Sequence, residues 1–359
     1  MKRVGLLTSG GDCQGLNAAL RGVGKALFEL LGDGVTIYGI REGYRGLMEN
    51  IWMEMKPSDF SGILTLGGTI LGTSRQPFKR IGELLPDGSS KIERMKETYR
   101  NLGLDCLVIL GGNGSHKTAR ALSDEGLSII TLPKTIDNDL YGTDVSFGFQ
   151  SAVDNAALVI DSIHSTAISH GRVFIIELMG HHVGFLTLHA GIAAGADVIL
   201  LPEIPYDPDA VAQALNKRTE AGKRFSILAV SEGAMSKREA SMSKKERKEA
   251  RARMTEPSIS YRVAREIEER TGKEIRVAVP GHFQRGGAPC AFDRMLASRF
   301  GTAAARLIKE ENYGNMVALR QDKVVPVPLS EVAGKLKTVP PDCEQVQCAR
   351  DLGISLGDR

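Results

Sequence analysis

Short, continuous runs of apolar residues alternate along the chain with longer segments in which apolar positions recur every three or four residues. The apolar runs occupy 4–7, 35–40, 107–110, 128–132, 173–178, 197–201, 225–230 and 275–279. Apolar runs without an alternating polar face are typical of strands in parallel sheets that helices cover on both sides. The pattern therefore predicts an α/β protein built on parallel sheets.

The glycine-rich segments of the chain directly follow predicted strands. In open α/β sheets, ligands bind outside the carboxyl ends of the strands, so these segments are the first candidates for a functional site. The segment 149–171 is a long helical pattern with no strand before it, and we expect it to carry the chain from one domain into the next. Two domains are also the default for 359 residues, because single cores rarely grow to that size.

The composition changes this picture little. Apolar residues make up 42% and charged residues 25% of the chain, which indicates a globular protein rather than a disordered one. The net charge of +3 leaves an anionic small molecule open as a ligand. The five cysteines form no CxxC pair and no zinc spacing, so we expect a reducing cytoplasm. No run reaches the ~20 apolar residues that a bilayer span needs, and we expect neither a signal peptide nor a membrane partner.

The segment 236–254 is strongly basic and polar. Because it lacks interleaved aromatic residues, we interpret it as a solvated helix or excursion rather than a nucleic-acid patch, and we expect no nucleic-acid partner.

Two glycine turns fit a strand–turn–helix arrangement that holds phosphate, SGGDCQG at 9–15 and GGNGS at 111–115. Glycine lets backbone N–H groups approach phosphate, and the following helix adds the positive end of its dipole. For either turn taken singly, a plain tight turn is an equally good interpretation. The second turn does not match the Walker pattern, because two residues separate its last glycine from Lys117, and neither turn contains GxGxxG.

The stretch LPKTIDNDLYGTD at 132–144 places Asp137 and Asp139 just after an apolar strand. In extended geometry, residues two apart face the same side, so one carboxylate could act as a base toward a hydroxyl while the other orients a metal or its waters. A turn capped by an aspartate side chain is the alternative interpretation.

At these residues the sequence resembles the phosphofructokinase family, in the branch with both ATP- and pyrophosphate-using members. The matching motifs, in order, are TSGGDCQGLNAALRG (8–22), GGTILGTSR (67–75), GGNGS (111–115), PKTIDND (133–139), MGHHVG (179–184), PEIPYD (202–207), SEGA (231–234) and PGHFQRGG (280–287). The resemblance implies two doubly wound, three-layer α/β domains with mostly parallel sheets and a cleft between them. Residues 1–147 with about 286–335 would bind the phosphoryl donor, and 148–285 with the tail 336–359 would bind fructose 6-phosphate.

The resemblance implies a kinase that transfers the terminal phosphoryl group of ATP to the 1-hydroxyl of fructose 6-phosphate, with Mg²⁺ as cofactor. The implied catalytic residues are Asp137 as base, Arg75 and Thr135. The implied donor-binding residues are Gly11, Arg75, Gly112, Asn113, Gly114, Ser115 and Lys134. The implied substrate-binding residues are Thr135, Ile136, Asp137, Arg172, Met179, Gly180, His181, Glu232, Arg276, His282, Phe283, Gln284 and Arg285. The implied metal-binding residues are Asp137, Asp139 and, against the family pattern, Asn113.

Four positions divide or depart from the family pattern. Gly114 is the form of ATP users, because a bulkier aspartate would block a nucleotide's α-phosphate. Lys134 is typical of pyrophosphate users, but a steric block excludes a donor more firmly than an added cation does, so we favour ATP. Asn113 stands where the family has a magnesium-organising aspartate, and we expect Asn113→Asp to raise activity or magnesium affinity. His181 stands where the family has arginine, and a metal pair with His182 is disfavoured because adjacent side chains usually point apart.

Two other functions remain open at this point. The first is the same reaction with pyrophosphate as donor. The second is a weakly catalytic regulatory or sugar-phosphate-binding subunit, which Asn113 alone favours. The resemblance also implies that Arg172 and Arg276 complete the site of a neighbouring subunit, so we expect a homodimer or homotetramer.

Overall fold

The structure, a computed structural model, describes residues 1–359 in two compact units. The first unit comprises Met1–Ser151 and Arg285–Lys337, and the second comprises Ala152–Gln284 and Thr338–Arg359. Each unit contains one sheet of its own. The predicted α/β fold with mostly parallel sheets is confirmed.

The predicted strands and helices agree with the observed ones to within about two residues at each end. The strands are β1 (Lys2–Thr8), β2 (Val35–Ile40), β3 (Trp52–Met55), β4 (Cys106–Gly111), β5 (Ile129–Pro133), β6 (Val173–Leu178), β7 (Val198–Leu200), β8 (Ser226–Ser231), β9 (Ile275–Ala278), β10 (Asn315–Arg320) and β11 (Lys323–Pro328). The helices are α1 (Leu16–Leu31), α2 (Tyr44–Glu49), α3 (Lys91–Asn101), α4 (Asn113–Asp124), α5 (Phe149–His170), α6 (Phe185–Ala193), α7 (Pro208–Glu220), α8 (Lys237–Ala240), α9 (Lys244–Ala252), α10 (Ile259–Thr271), α11 (Ala291–Lys309), α12 (Leu329–Val332) and α13 (Glu344–Asp351).

The sheet of the first unit has the order β11-β10-β5-β4-β1-β2-β3. Its inner pairs are parallel, whereas β3 and β11 are antiparallel edge strands. Strands β1, β4 and β5 are adjacent, so their carboxyl ends, which carry the glycine turns and the carboxylate stretch, reach the same edge of the sheet. This order brings together segments that are more than a hundred residues apart in the chain.

The apolar pattern misses three strands, β3, β10 and β11. The two edge strands are largely exposed, and β11 contains Pro326 and Pro328. Proline is confined to edge strands because it cannot donate to the sheet. Edge strands therefore lack the continuous apolar run that marks a central strand.

The sheet of the second unit has four parallel strands in the order β7-β8-β6-β9. Its core packs strand residues such as Ile175 and Leu228 against Val211 of α7 and Val263 of α10. The carboxyl ends of β6 and β8 lie side by side, with Leu178 paired to Ser231. The segments MGHHVG and SEGA, which follow those strands, are therefore neighbours.

The basic segment 236–254 forms the two short helices α8 and α9. Each begins with a reciprocal capping box, Ser236 with Glu239 and Ser243 with Glu246. No residue of α9 is buried, which agrees with the interpretation as a solvated helix. None of the helices in the protein is both long and apolar enough to span a lipid bilayer.

Tyr44 connects the core of the first unit to the first turn of α4. Its side chain is 1% exposed, and its hydroxyl donates a hydrogen bond of 2.8 Å to the backbone carbonyl of Ser115. A buried carbonyl that loses its donor keeps its desolvation cost without compensation. The hydroxyl therefore stabilises the turn between β4 and α4.

We predict that Tyr44→Phe lowers the free energy of unfolding by about 1–3 kcal/mol, because it leaves the Ser115 carbonyl buried without that donor. Thermal and urea unfolding of the variant measure the change. Tyr38→Phe, at a half-buried tyrosine on β2, is the control and should change the free energy by less than about 0.5 kcal/mol. A Tyr44→Phe protein as stable as the wild type would contradict the prediction.

Candidate active site

Gly11, in the turn after β1, is surrounded by cationic side chains of the first unit. A Cβ atom at this position would lie 3.1 Å from Nη1 of Arg285 and 3.5 Å from Nη2 of Arg75. Arg285 Nη1 donates to the carbonyl of Asp12 at 3.0 Å, and the Lys134 ammonium donates to the carbonyl of Gly11. Three cations at one glycine turn, where no side chain keeps a ligand away from the backbone, form a site for an anion.

Lys134 is the most buried of these cations, with 4% of its surface exposed. Burial lowers the pKa of its ammonium, and the nearby Arg285 lowers it further, whereas the carboxylates of Asp137 and Asp139 raise it. Arg285, Asp137 and Asp139 therefore all lie within electrostatic reach of Lys134. The family resemblance implies that Lys134 binds the donor, and the structure places its ammonium at the turn of Gly11.

The turn Gly112–Ser115 opens α4. The first backbone N–H groups of a helix have no partner within the helix, and they can bind phosphate. Ser115 is buried, and its hydroxyl donates to the hydroxyl of Ser9 at 2.9 Å, which joins this turn to the turn after β1. Gly114 is exposed, and a Cβ atom there would meet nothing within 4 Å. The space beside Gly114 is thus open to a ligand.

Asn113 uses the two halves of its side-chain amide differently. Its Nδ2 donates to the carbonyl of Lys335 at 2.9 Å. Its Oδ1 is buried without a hydrogen-bond partner. An aspartate could accept at the second position but could not donate at the first. Asparagine departs from the family pattern at this position, but it makes a structural hydrogen bond that aspartate could not make.

His116 lies directly beneath the same turn and is 2% exposed. Its Nδ1 is 2.9 Å from the carbonyl of Gly112, so Nδ1 carries the proton, because a carbonyl can only accept. Its Nε2 is buried without a partner, and burial lowers the pKa of the ring from 6.5 to about 4. The sequence does not reveal this burial, since a histidine after a glycine turn carries no signal of it.

The carboxylate stretch is a turn and not an extended segment. Asn138, between Asp137 and Asp139, has a φ of 52°, so the alternation rule used to place both carboxylates on one side does not apply. The backbone N–H of Asp137 donates to Thr135 Oγ1 at 3.0 Å, and Ser146 Oγ donates to the carbonyl of Thr135 at 2.8 Å. Thr135 therefore holds the start of the turn, and Asp137 is half-buried at its end.

The side chain of Ile136 is fully buried, so only its backbone is available for the predicted role at the site. The other side of the turn is held by Lys337, a residue that the sequence analysis did not single out. Its ammonium donates to Asn138 Oδ1 at 3.0 Å and to the carbonyls of Thr143 and Asp144 at 3.0 and 2.8 Å. Burial lowers the pKa of Lys337 to about 8.

In the second unit, the segment MGHHVG is held by acceptors from neighbouring strand ends. The N–H of Met179 donates to Gln284 Oε1 at 3.1 Å, and the N–H of His181 donates to Glu232 Oε1 at 2.7 Å. Gly180 has a φ of 143°, and a Cβ atom there would lie 2.5 Å from the carbonyl of Val183. Only glycine fits this position, so the turn is specified by its sequence.

The expectation that His181 and His182 point apart is wrong. His181 has a φ of 51°, and the two rings stack with centroids 3.7 Å apart and an angle of 24° between their planes. The left-handed backbone at His181 reverses the usual divergence of adjacent side chains. Ring nitrogens direct their lone pairs within the ring plane, so stacked rings do not converge on one metal ion.

The short 3-10 helix Gly281–Arg285 carries the residues that follow β9. His282 and Phe283 are exposed, the latter to 54%. Gln284 is fully buried, and its Nε2 donates to the carbonyl of Gly281 at 3.1 Å. Gln284 therefore supports Met179 and its own helix rather than facing a ligand.

Arg172 and Arg276 lie at the opposite end of the second sheet from Met179 and Glu232. Arg172 precedes β6 and Met179 follows it, which separates them by roughly 20 Å at ~3.3 Å per residue. Both arginines pair with Glu274, at 2.8 Å for Arg172. The structure brings these two residues together with each other but not with the other predicted substrate residues of their unit.

The protein has no cluster of three or more His, Cys, Asp or Glu side chains placed to hold a metal ion. The first unit offers the carboxylates of Asp137 and Asp139 and the unpartnered Oδ1 of Asn113. Magnesium usually binds through one or two carboxylates together with substrate phosphates and waters. These residues fit an ion that arrives with a phosphate ligand and do not fit a cage made by the protein alone.

Comparison with known proteins agrees with this geometry. A family model described as Phosphofructokinase matches residues 3–308. The ATP-dependent 6-phosphofructokinase of Spirochaeta thermophila is 57% identical over 357 residues, which cover 99% of this chain and 97% of that protein. The structure of Pichia pastoris phosphofructokinase in the T-state superposes with a TM-score of 0.80 at 31% identity; the match covers 99% of this chain but 37% of that one. A pyrophosphate-dependent phosphofructokinase from Nitrosospira multiformis has a TM-score of 0.82 over 99% of this chain and 92% of that one, and its 22% identity shows the fold alone.

We predict that His116 makes stability depend on pH. Above pH 6.5 the ring is neutral in the folded and unfolded protein, but between pH 6.5 and about 4 the unfolded chain takes up a proton that the folded protein does not. The free energy of unfolding should therefore fall, as the pH falls through this window, by up to about 3 kcal/mol from this group.

The contribution is measured by comparing unfolding at pH 7.5 and 4.5 in the wild type and in His116→Asn, which keeps a donor near Nδ1 but does not titrate. The variant should lose less stability over this range than the wild type. His170→Asn, at an exposed histidine, is the control. An NMR titration that gives His116 an ordinary pKa near 6.5 would refute the assignment.

Proposed function

The chain belongs to the phosphofructokinase family, and from this premise we propose that it transfers the terminal phosphoryl group of ATP to the 1-hydroxyl of D-fructose 6-phosphate. The product is fructose 1,6-bisphosphate, and the reaction is a step of glycolysis. The observation that supports this most is the cationic turn at Gly11, with Lys134, Arg75 and Arg285 around it. The Asp137 turn follows β5 at the same edge of the sheet, with β4 between β5 and β1. The relative with 57% identity is named an ATP-dependent enzyme, which supports ATP as donor.

The donor phosphates bind at the turns after β1 and β4. Gly11 and Gly112 allow close approach of the backbone, and the N–H groups of Gly114 and Ser115 at the start of α4 meet the phosphate oxygens. Arg75 is exposed beside Gly11 and can follow the charge that develops on the transferred group. Phosphoryl transfer needs in-line positioning and charge neutralisation more than covalent chemistry, and these groups supply both.

Asp137 is the general base. It accepts the proton of the attacking hydroxyl, while the bond from its N–H to Thr135 fixes the backbone that carries it. This family generally needs a divalent metal, and we propose Mg²⁺. The ion would be held by Asp137, Asp139 and the donor phosphates, with the neutral Oδ1 of Asn113 as a further oxygen. When bound, the ion offsets the negative charge of the phosphates.

The second unit supplies the sugar-phosphate residues. Met179, Gly180, His181 and Glu232 form one group at the carboxyl ends of β6 and β8, where Glu232 can accept sugar hydroxyls on the oxygen that His181 does not use. His282 and Phe283 are exposed on the next loop, and Gln284 holds Met179 in place. We assign the donor to the first unit and the sugar phosphate to the second, with Arg285 of the first unit as an additional phosphate ligand.

Arg172 and Arg276 act on a neighbouring subunit in this proposal, so the active protein is a homodimer or homotetramer. Their separation from the other substrate residues of their own unit supports the assignment, since neither can serve that site. A cytoplasmic location is supported by the five cysteines, none of which forms a disulfide.

Pyrophosphate is the second candidate donor, favoured by Lys134. The Lys134 ammonium uses one of its donors on the carbonyl of Gly11, and the space beside Gly114 is open, which favours a nucleotide. Initial rates with ATP and with pyrophosphate, each with fructose 6-phosphate and Mg²⁺, test the choice directly. A wild-type protein that uses pyrophosphate faster than ATP would overturn the proposal.

We predict that Gly114→Asp lowers kcat/KM for ATP by about 100-fold, because a carboxylate beside the nucleotide's phosphates costs several kcal/mol of like-charge repulsion. The added side chain meets no protein atom within 4 Å, so folding should be unaffected. Gly34→Asp, another glycine with open space, is the matched control and should keep wild-type kinetics. Equal kinetics of wild type and Gly114→Asp would remove Gly114 from the donor path.

We predict that Asp137→Asn lowers kcat by about 10²–10⁴-fold with little change in KM, because the amide cannot accept the proton. Asp139→Asn is the comparison, since a metal-orienting carboxylate should lose activity that higher Mg²⁺ concentration restores. Steady-state rates over a magnesium titration separate the two roles. If Asp137→Asn were rescued by magnesium in the same way, the lost activity would come from metal binding alone, and Asp137 would not be the base.

A further inference from the structure

The segment Gly334–Lys337, which we call the strap, contacts both turns of the phosphoryl-transfer site at once. It follows α12 at the end of the first unit. Its backbone pairs with the carboxylate stretch through an antiparallel bridge between Leu336 and Leu140 and through a bond of 2.9 Å from the N–H of Lys337 to the carbonyl of Asp139. At its other end, the carbonyl of Lys335 accepts from Asn113 Nδ2 at 2.9 Å.

The ammonium of Lys337 fixes the turn that carries the carboxylates. An ammonium has three donors, and each finds an acceptor here, at Asn138 Oδ1 and at the carbonyls of Thr143 and Asp144. Asn138 Oδ1 also accepts from the N–H of Ser146 at 3.2 Å. The left-handed residue between the two carboxylates is thus held by its side chain on both sides, and its orientation determines where the Asp137 carboxylate points.

Asn113 fastens the donor turn to the same strap. Because an aspartate has no hydrogen to donate, it would place an anionic oxygen against the carbonyl of Lys335. The strap therefore accounts for an asparagine at this position without reference to a metal ion. The strap also contacts the carboxylate stretch through a cation–π interaction. Lys335 Nζ lies 5.1 Å from the centre of the Tyr141 ring.

From these contacts we propose that the strap is a positioning device, in which Lys337 orients the Asp137 turn and Asn113 ties the donor turn to it. The proposal rests on the proposed function. Lys337 touches neither substrate nor reacting atoms, and it acts through Asn138. Since phosphoryl transfer depends on the alignment of the base with the donor phosphorus, a loosened strap lowers turnover more than substrate binding.

The first test replaces Lys337. We expect Lys337→Met to lower kcat at least about tenfold, because displacements near 1 Å can cost that much or more, while KM for ATP and fructose 6-phosphate stays within about twofold. Lys337→Arg keeps the cation and should recover part of the loss. Lys323→Met, at an exposed lysine of β11, is the control. Unchanged kcat in Lys337→Met, or a loss expressed in KM alone, would overturn the proposal.

The second test replaces Asn113, which donates to the strap at Lys335. It keeps the proposal open to refutation if Lys337→Met does not fold. At saturating Mg²⁺, the strap predicts that Asn113→Asp lowers kcat by about fivefold or more, because the tie to Lys335 is lost. If the missing negative charge at Asn113 limited the rate through weak metal binding, the same change would raise activity instead. A rise in kcat would therefore reject the strap.

Hydrogen exchange gives a readout that does not need activity. In Asn113→Asp, peptides that cover 334–337 and 137–146 should exchange their amide hydrogens faster than in the wild type, with α1 as the internal reference. An inactive wild type with this exchange pattern would reject the kinase function and leave the strap intact. Unaltered exchange in both peptides would reject the strap even if the wild type is an active kinase.

Discussion

The buried ammonium of Lys134 is the interaction on which the first unit's site depends. It extends from the end of β5 to the carbonyl of Gly11 after β1, and β4 lies between the two strands. Burying a cation costs free energy unless its donors form hydrogen bonds. The hydrogen bond from the Lys134 ammonium therefore fixes the position of the turn after β1. Arg285 then adds a second cation to the same turn. Like charges held together in a partly buried place leave an anionic ligand as the natural counterpart, which suits a donor that carries several negative charges.

The two units reach their chemistry by different means. In the first, cations and helix N–H groups are aimed outward at a ligand, and the polar groups that hold them are backbone carbonyls. In the second, the acceptors of Glu232 and Gln284 are used by backbone N–H groups of the MGHHVG turn. Glu203 is used in the same way: one oxygen accepts from Gly184 and Val339, and burial raises its pKa. The cations of the first unit attract an anionic ligand, whereas the buried acceptors of the second unit fix the backbone of the MGHHVG turn.

Much of the fold and part of the site could be predicted from the sequence, for identifiable physical reasons. Central strands are visible because both of their faces are buried, whereas β3 and β11 are hidden because edge strands are exposed. The glycine turns and Asp137 are visible in the sequence because they are local features. Lys337 could not be found, because its partners lie about two hundred residues away in the chain. Asn138 and His181 adopt left-handed backbones that overturned two rules about side-chain direction, and asparagine's tolerance of that region is the one signal that could have warned of the first.

Asn113 shows why a departure from a family pattern is weighed best on hydrogen bonds. If only its charge is considered, asparagine is a weaker metal ligand than aspartate and suggests an enzyme of low activity. Read as a donor, it is the one side chain of its size that can offer an oxygen toward a phosphate-bound ion and a hydrogen to Lys335 at the same time. The charge lost at this position matters less where magnesium binds mainly through phosphates and one or two carboxylates. A site that already relies on its ligand for much of the metal's coordination can use a neutral residue to hold its own backbone.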